Sequence, residues 1–432
     1  MSLREEVTEL LQALIRLDTV NPPGNETVAA ELLRAYLASY GIPCELLARV
    51  PERGNLVARL PGGDGPSLAF LCHTDTVRAD ADEWSRDPWS GDLVDGEVWG
   101  RGALDMKDQV AASAVAFASL WREGFRPPGD LLFIATADEE VGDGFGLEWL
   151  VAEHPDAVRV DYSLNEGAGE RVVLGGKPYY LCSSAEKMSA PFLLRVHGRS
   201  GHASAPGIAD NSLVRAARAI QALAELSPPA SLIPEVRRLL ELALGEAPAA
   251  SEAGARVRSF DPLAGELVEP LLSFTLSPTM IEASKQRNVI PAICDVTVDC
   301  RILPGTTPAA VEPVVRGALV AAGIGEDKFE LHSLEATGGT RSPLDTPLWH
   351  AIERFVGEIE PEARLAPMCN SGFTDSHWLR EGFGTVAYGF FPMRTMDVEL
   401  ASRLMHSANE RVLVDDLELG VEGLRFIAKA LA

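Results

Sequence analysis

The chain is poor in positive charge. Lys and Arg number 38 against 63 Asp and Glu, a formal net charge of -25 at pH 7, which repels phosphate backbones wherever no local basic patch overrides it. The longest basic cluster, Arg237-Arg238, sits on a helix-periodic stretch where a solvated face accounts for it. A nucleic-acid partner is therefore not expected. Paired cysteines are also missing: Cys44, Cys72, Cys182, Cys294, Cys300 and Cys369 are scattered with no C-x-x-C spacing, which argues against a disulfide framework and for free thiols in a reducing cytoplasm. No apolar run approaches the roughly 18 residues of a membrane span, and no internal repeat is visible. The opening "MSLREEVTELLQALIRLDTV" is acidic and helix-periodic where a secretory leader is basic and then apolar. Together these absences predict a cytoplasmic globular protein without a membrane partner.

What is present is ordinary core-forming composition, 46% hydrophobic over 432 residues, enough for two or three domains. Leu3, Val7, Leu10, Leu11, Leu14 and Ile15 recur at helical spacing until "NPPGNE" breaks the pattern. A second helix runs from about Glu26 to Tyr40 and closes at Gly41. Short apolar strands follow in "CELLARV", "NLVARL", "SLAFLC", "DLLFIAT" and "VDYSLN", with helices at 108–123 and 144–153 between them. Such alternation predicts an α/β fold, a mostly parallel mixed sheet flanked by helices. From Lys187 the texture changes to alternating strands and amphipathic helices, which predicts a smaller inserted α+β domain with an antiparallel sheet. We place this domain at 187–336, with a helical insertion near 225–270, and the first domain at 1–186 plus 337–432.

In parallel sheets ligands bind beyond the carboxyl ends of strands, so the residues just after each strand are the ones to read. "HTDTV" puts His73 and Asp75 two residues apart, on one side of an extended backbone. A metal-bound imidazole donates its other N–H to an outer carboxylate, which makes Asp75 the natural orienter of His73. Asp105 follows the glycines of "GRGALDMKD", the adjacent Glu139 and Glu140 end "TADEE", Glu166 ends "SLNEG", and His406 lies in "LMHSANE". Each is unremarkable alone. As a set, His73, Asp105, Glu140, Glu166 and His406 supply the mixed imidazole and carboxylate donors that suit zinc, with cobalt or manganese as alternatives. They suffice for two divalent ions sharing one bridging acid.

The strings "HTDTV", "WSRDPWSGDLVDGEVWGRGALDMKD", "TADEEVG", "NEGAG", "GRSGHAS", "NVIP", "DCRILPG", "SGFTDS" and "HSANE" resemble, in this order, those of the di-zinc amidohydrolase family that holds glutamate carboxypeptidase, carboxypeptidase S, acetylornithine deacetylase, succinyl-diaminopimelate desuccinylase and aminoacylase. The resemblance makes Asp105 the bridging carboxylate, with His73 and Glu166 completing one metal and Glu140 and His406 the other. It makes Glu139 the general base acting on a bridging water, and the Asp105–Met106 peptide cis. It implies that the second domain is a lid through which a homodimer forms, and that His202 reaches a substrate carbonyl. Asn288, Arg301, Gly372, Phe373 and Thr374 match positions that hold the substrate, and Arg301 suits a free carboxylate.

Two departures stand out: Asp108-Gln109 after "DMK", where glycine is common, and Phe373 in "SGFTDS", where Gly-Gly-Thr-Asp is common. "NEGAG" and the long insertion look most like the carboxypeptidase S branch. The expected activity is metal-dependent hydrolysis of an amide next to a free carboxylate, in a small peptide or an N-acyl amino acid. N-acyl amino acid deacylation is the close alternative to carboxypeptidase action, and a non-catalytic metal-binding module the remote one.

Overall fold

Leu68–His73 and Leu131–Thr136 are buried along their whole length, as a strand covered on both faces must be. In the computed structural model, which describes residues 1–431, these strands lie side by side and parallel, with His73 opposite Thr136. Tyr162–Asn165 and then Val386–Gly389 extend the parallel set on the far side of Leu68–His73. Antiparallel strands finish the sheet, Gly54–Leu60 and Cys44–Ala48 at one end and Lys177–Glu186 beside Val386–Gly389 toward the other. Among the described residues the sheet has nine strands.

Alternation along the central strands builds two cores. Leu68, Phe70, Cys72, Leu131, Phe133 and Ala135 pack with residues of the helices Leu3–Ile15, Lys107–Arg122, Pro347–Ile359 and Val414–Ala430. Ala69, Leu71, Leu132 and Ile134 face the opposite way, toward Leu147 and Leu150 of one short helix and Leu379 of another. Full burial of a side chain such as Phe70 or Phe133 contributes about 2 kcal/mol, which helps to hold the strands whose ends carry His73, Glu139 and Glu140.

This sheet belongs to a unit made of Met1–Ser184, Arg341–Met368 and the chain from Thr374 onward; Ala185–Thr340 and Cys369–Phe373 form a second unit. In the second unit Phe192–His197 and Ile293–Ile302 pair antiparallel, joined by Phe329–Ser333 on one flank and Thr275–Glu282 on the other. Every other residue of Ile293–Ile302 is buried, against residues of the helices Ser212–Ala224 and Pro308–Ala321. The fold is thus a mostly parallel mixed sheet flanked by helices, with a separate antiparallel sheet. No helix among the described residues is long and apolar enough to cross a membrane.

Of the strands of five or more residues, three escape the sequence reading, two of them for visible reasons. Lys177–Glu186 is buried nearly throughout, so it lacks the alternation that signals a strand. Thr275–Glu282 contains Pro278, which argues against a strand; the pairing accommodates it with a bulge between Pro278 and Met280. Nothing in the sequence pattern announces Arg364–Asn370.

Candidate metal centre

Three strand ends open on one spot. His73 ends its strand beside Thr136, and Glu139 and Glu140 follow three and four residues on. Leu164 is level with Phe70, so Glu166 emerges level with Cys72. His406 arrives by another route. The strand Arg411–Leu413 pairs antiparallel with Glu97–Trp99, Arg411 opposite Trp99, so the chain before Arg411 and the chain after Trp99 leave the ribbon together. That register carries His406 to Asp105.

The resulting geometry centres on Asp105. His73 Nε2 lies 3.2 Å from Asp105 Oδ1, and His406 Nε2 lies 3.0 Å from Asp105 Oδ2. His406 Nε2 is also 3.3 Å from Glu140 Oε2, while His73 Nε2 is 3.8 Å from Glu166 Oε1 and 4.0 Å from Glu139 Oε2. Two trios offer ligand atoms within 4.8 Å of one another: His73, Glu139 and Glu166, and His73, Asp105 and Glu140. The structure therefore brings together all five sequence-derived ligand candidates and Glu139 beside them. The Asp105–Met106 peptide is cis.

Crowded acids raise one another's affinity for protons. Burial, reinforced by the charge of Glu166, holds Glu139 well above the usual carboxylate range. Burial also raises Glu140 and takes Glu166 up to about 8. Asp105 goes the other way, because His406 and His73 outweigh its burial and lower it. His73 is raised against its own burial by Asp105 and Asp75, and His406 is pushed up to about 10 by Asp105 and Glu140. A cation at this point would relieve the repulsion among the acids. Glu140 Oε1 is moreover buried without a hydrogen-bond partner, an orphan acceptor of the kind a metal satisfies. The donor set fits divalent zinc, cobalt or manganese.

Asp75 does more than face His73. Its Oδ1 is 3.3 Å from His73 Nδ1, and its two oxygens accept the backbone N–H groups of Glu139 and Glu140 at 3.2 and 3.1 Å. Glu410 plays the matching part for Asp105. Fully buried, it accepts from the backbone N–H groups of Gly102, Leu104 and Asp105 and from Arg101 Nη1. Sequence reasoning gave Glu410 no role, although it closes the string "HSANE". It also passed over Asp375, which accepts from Thr136 Oγ1 at 2.8 Å and is raised to about 7 by burial. Asn21, Arg53 and Asp138 were missed as well. Asn21 lay in a string read only as a helix breaker, and nothing in the sequence shows that Arg53 is buried.

The remaining candidates lie in the second unit, apart from Thr374. His202 is exposed, with Nδ1 2.7 Å from Ser204 Oγ. It sits on a two-stranded ribbon opposite Val289, and the carbonyl of the exposed Asn288 accepts from Ala203 N, which makes His202 and Asn288 neighbours. Arg301 is paired with Asp299 on its own strand. Phe373 packs against Gly338, its Cβ 2.7 Å from where a side chain at Gly338 would begin, so only glycine fits there. Thr374 is buried in the first unit, its hydroxyl accepting from Ser376 N.

An α/β sheet whose strand ends gather two imidazoles and four carboxylates defines a metal-dependent hydrolase. The chain belongs to the peptidase family M20/M25/M40, which matches residues 69–430. A succinyl-diaminopimelate desuccinylase of Rhodospirillum centenum is 35% identical over 424 residues, covering 94% of this chain and 92% of that protein. A second, from Rhodospirillum rubrum, is 28% identical over 433 residues, covering 95% and 94%. Among solved structures, an M20 family metallo-carboxypeptidase from Sulfolobus solfataricus superposes with a TM-score of 0.74 at 18% identity, covering 99% of both chains. Human carnosine dipeptidase 1 gives 0.69 at 18% identity, covering 99% of this chain and 96% of that one. At these identities the two structures speak for the fold alone.

Proposed function

We propose that this chain is an N-acyl amino acid deacylase that hydrolyses an amide bond next to a free carboxylate, with a dicarboxylic acyl group such as succinyl as the acyl part it prefers. The observation that carries the hydrolytic reading is the placement of Glu139. It stands beside the ligand cluster, Oε2 4.0 Å from His73 Nε2, within reach of a water held there, as a general base must be. The deacylase reading draws support from the desuccinylases that match nearly end to end. It takes precedence over the carboxypeptidase reading, which rests on "NEGAG" and the 225–270 insertion.

His73, Asp105, Glu140, Glu166 and His406 would hold two divalent ions, with Asp105 shared and zinc the first choice. Such ions, when bound, supply Lewis acidity and lower the pKa of water. Glu139 accepts the proton of the attacking water and hands it to the departing amine. Asp75 fixes the imidazole of His73 and the backbone from which Glu139 projects. In the second unit His202, with Nδ1 engaged by Ser204, keeps Nε2 for the carbonyl oxygen as charge develops on it. Arg301, Asn288, Gly372, Phe373 and Thr374 would hold the substrate, Arg301 sharing its guanidinium between Asp299 and a substrate carboxylate. A homodimer through the second unit is part of the same reading.

A panel of N-succinyl, N-acetyl and other N-acyl amino acids and of dipeptides, each assayed with zinc, cobalt or manganese, tests it. N-Succinyl-diaminopimelate and related N-succinyl amines should show kcat/KM at least about tenfold above any dipeptide, a gap of about 1.4 kcal/mol in transition-state binding. Faster release from dipeptides would transfer the assignment to a carboxypeptidase or dipeptidase. Turnover of none of them would sink it.

A further inference from the structure

The tip that carries Glu139 and Glu140 is held from behind by a buried polar chain of which the proposed reaction uses only Asp75. Asn21 Nδ2 donates to Asp75 Oδ2 and to Asp138 Oδ1, both at 3.0 Å. Asp138 Oδ1 also accepts from Arg53 Nη2 at 2.9 Å, and Asp138 Oδ2 from Phe145 N at 3.0 Å. Arg53 in turn grips Glu26 through Nε and Nη2, at 2.7 and 2.8 Å. All these side chains are buried.

Each link has a reason. Asp138 has a φ of +70°, a conformation a non-glycine residue keeps only when its neighbours over-determine it. Three donors on its carboxylate do so. Asp75 and Asp138 can only accept, so two acids can meet side by side only if the group between them offers two N–H bonds. An asparagine amide has that number, and an aspartate would add a third anion. The backbone of Asn21 is tied to the same place, its N–H donating to Thr76 O at 2.9 Å. The string "NPPGNE" therefore does more than end a helix: it delivers one amide to the rear of the site.

We propose that Asn21 is a positioning residue for the metal centre, clasping Asp75, which faces His73 and the tip, to Asp138, which turns the chain so that Glu139 and Glu140 project into the cluster. The proposal rests on the roles given above to His73, Glu139 and Glu140. Loss of the clasp leaves every ligand present and misaims them.

Three full-length variants test this by cobalt titration, steady-state kinetics and melting temperature. Asn21→Leu keeps the bulk and removes both donors. Asn21→Asp keeps the shape and replaces donors with acceptors. Thr19→Val removes the buried hydroxyl bond from Thr19 to Thr74 O, 2.7 Å, which tethers the same segment without touching either carboxylate. Asn21→Leu, one link further out than Asp75, should bind cobalt about 10-fold more weakly, the low end of the range for loss of a ligand's outer partner. Its visible cobalt band should shift, and kcat should fall with KM within about twofold. Asn21→Asp should lose more. Thr19→Val should lower the melting temperature and leave cobalt affinity and kcat in place. If Asn21→Leu loses only melting temperature, as Thr19→Val does, Asn21 is a structural residue and the proposal fails. Should Asn21→Leu not fold, the same readouts on Asn21→Ser decide the matter. An active Glu139→Gln enzyme would remove the general-base reading, while cobalt affinity of the Asn21 variants would still judge the clasp.

Discussion

His73 ends a strand buried along its whole length, and its own side chain is 1% exposed. His406 follows a seven-residue helix, in a turn with φ of +57°, and its side chain is 52% exposed. Both reach Asp105 at nearly the same distance. The difference lies in what holds them. His73 is fixed by the sheet and by Asp75 before any ion arrives, whereas His406 is held by Asp105 and Glu140 themselves, at the end of a turn pinned by Asn409 to Ser85 and by Glu410 to the Asp105 loop. One side of the centre is built by the fold and the other is closed by the ligands.

The sharpest separation comes from His73→Ala. His73 Nε2 lies 3.2 Å from Asp105 and 3.8 Å from Glu166, so metal analysis should find the ion of that side lost, at most one ion per chain remaining, and turnover at background. Asp75 and Asp105 would be left facing a void, and chemical denaturation should show a loss of about 3 kcal/mol, typical of a broken buried pair. Full activity with that ion lost would refute the ligand assignment. Next in size is Glu139→Gln. Because Glu139 is held by the backbone bond to Asp75 rather than by its charge, the variant should keep its metal while kcat falls about 10²- to 10⁴-fold, the usual worth of a positioned base. Asp75→Asn should follow, with metal affinity about 10- to 100-fold weaker. Isothermal titration with zinc would check that figure, and an unchanged affinity would show that the strand alone orients His73.

How far this contrast was legible in the sequence follows from the same physics. His73, Glu139, Glu140 and Glu166 sit at or just beyond apolar strands, and the rule that sites form at the carboxyl ends of parallel strands points to them directly. His406 and Asp105 lie in ordered strings of a recognisable family, but the register that joins them, Arg411 opposite Trp99, involves three-residue strands too short to show a period. The supports were hidden for a different reason. Arg53, Asp138 and Glu410 are charged residues in loops, and a sequence marks such residues as solvated. Their burial is a non-local property, created only when segments far apart in the chain close over them. Arg301 is a milder case. Its partner Asp299 is two residues away on an extended strand, so the pairing was available from spacing alone.

The smallest effect is expected at His406, where it is one of stability. In chelator, His406→Ala should unfold within about 0.5 kcal/mol of the parent, as an exposed substitution does, because the ring is half exposed and the core does not rely on it. Added zinc should then separate the two. A ligand that binds only the folded chain stabilises it by RT ln(1 + [L]/Kd), about 2.7 kcal/mol at a hundred times Kd, and the parent should gain the contribution of two ions where the variant gains that of one. His73→Ala should likewise gain the contribution of one ion, from Asp105, Glu140 and His406, but from a lower starting stability. If instead His406→Ala is destabilised in chelator as much as His73→Ala, then the exposed turn is part of the scaffold and the two sides of the centre are not built differently after all.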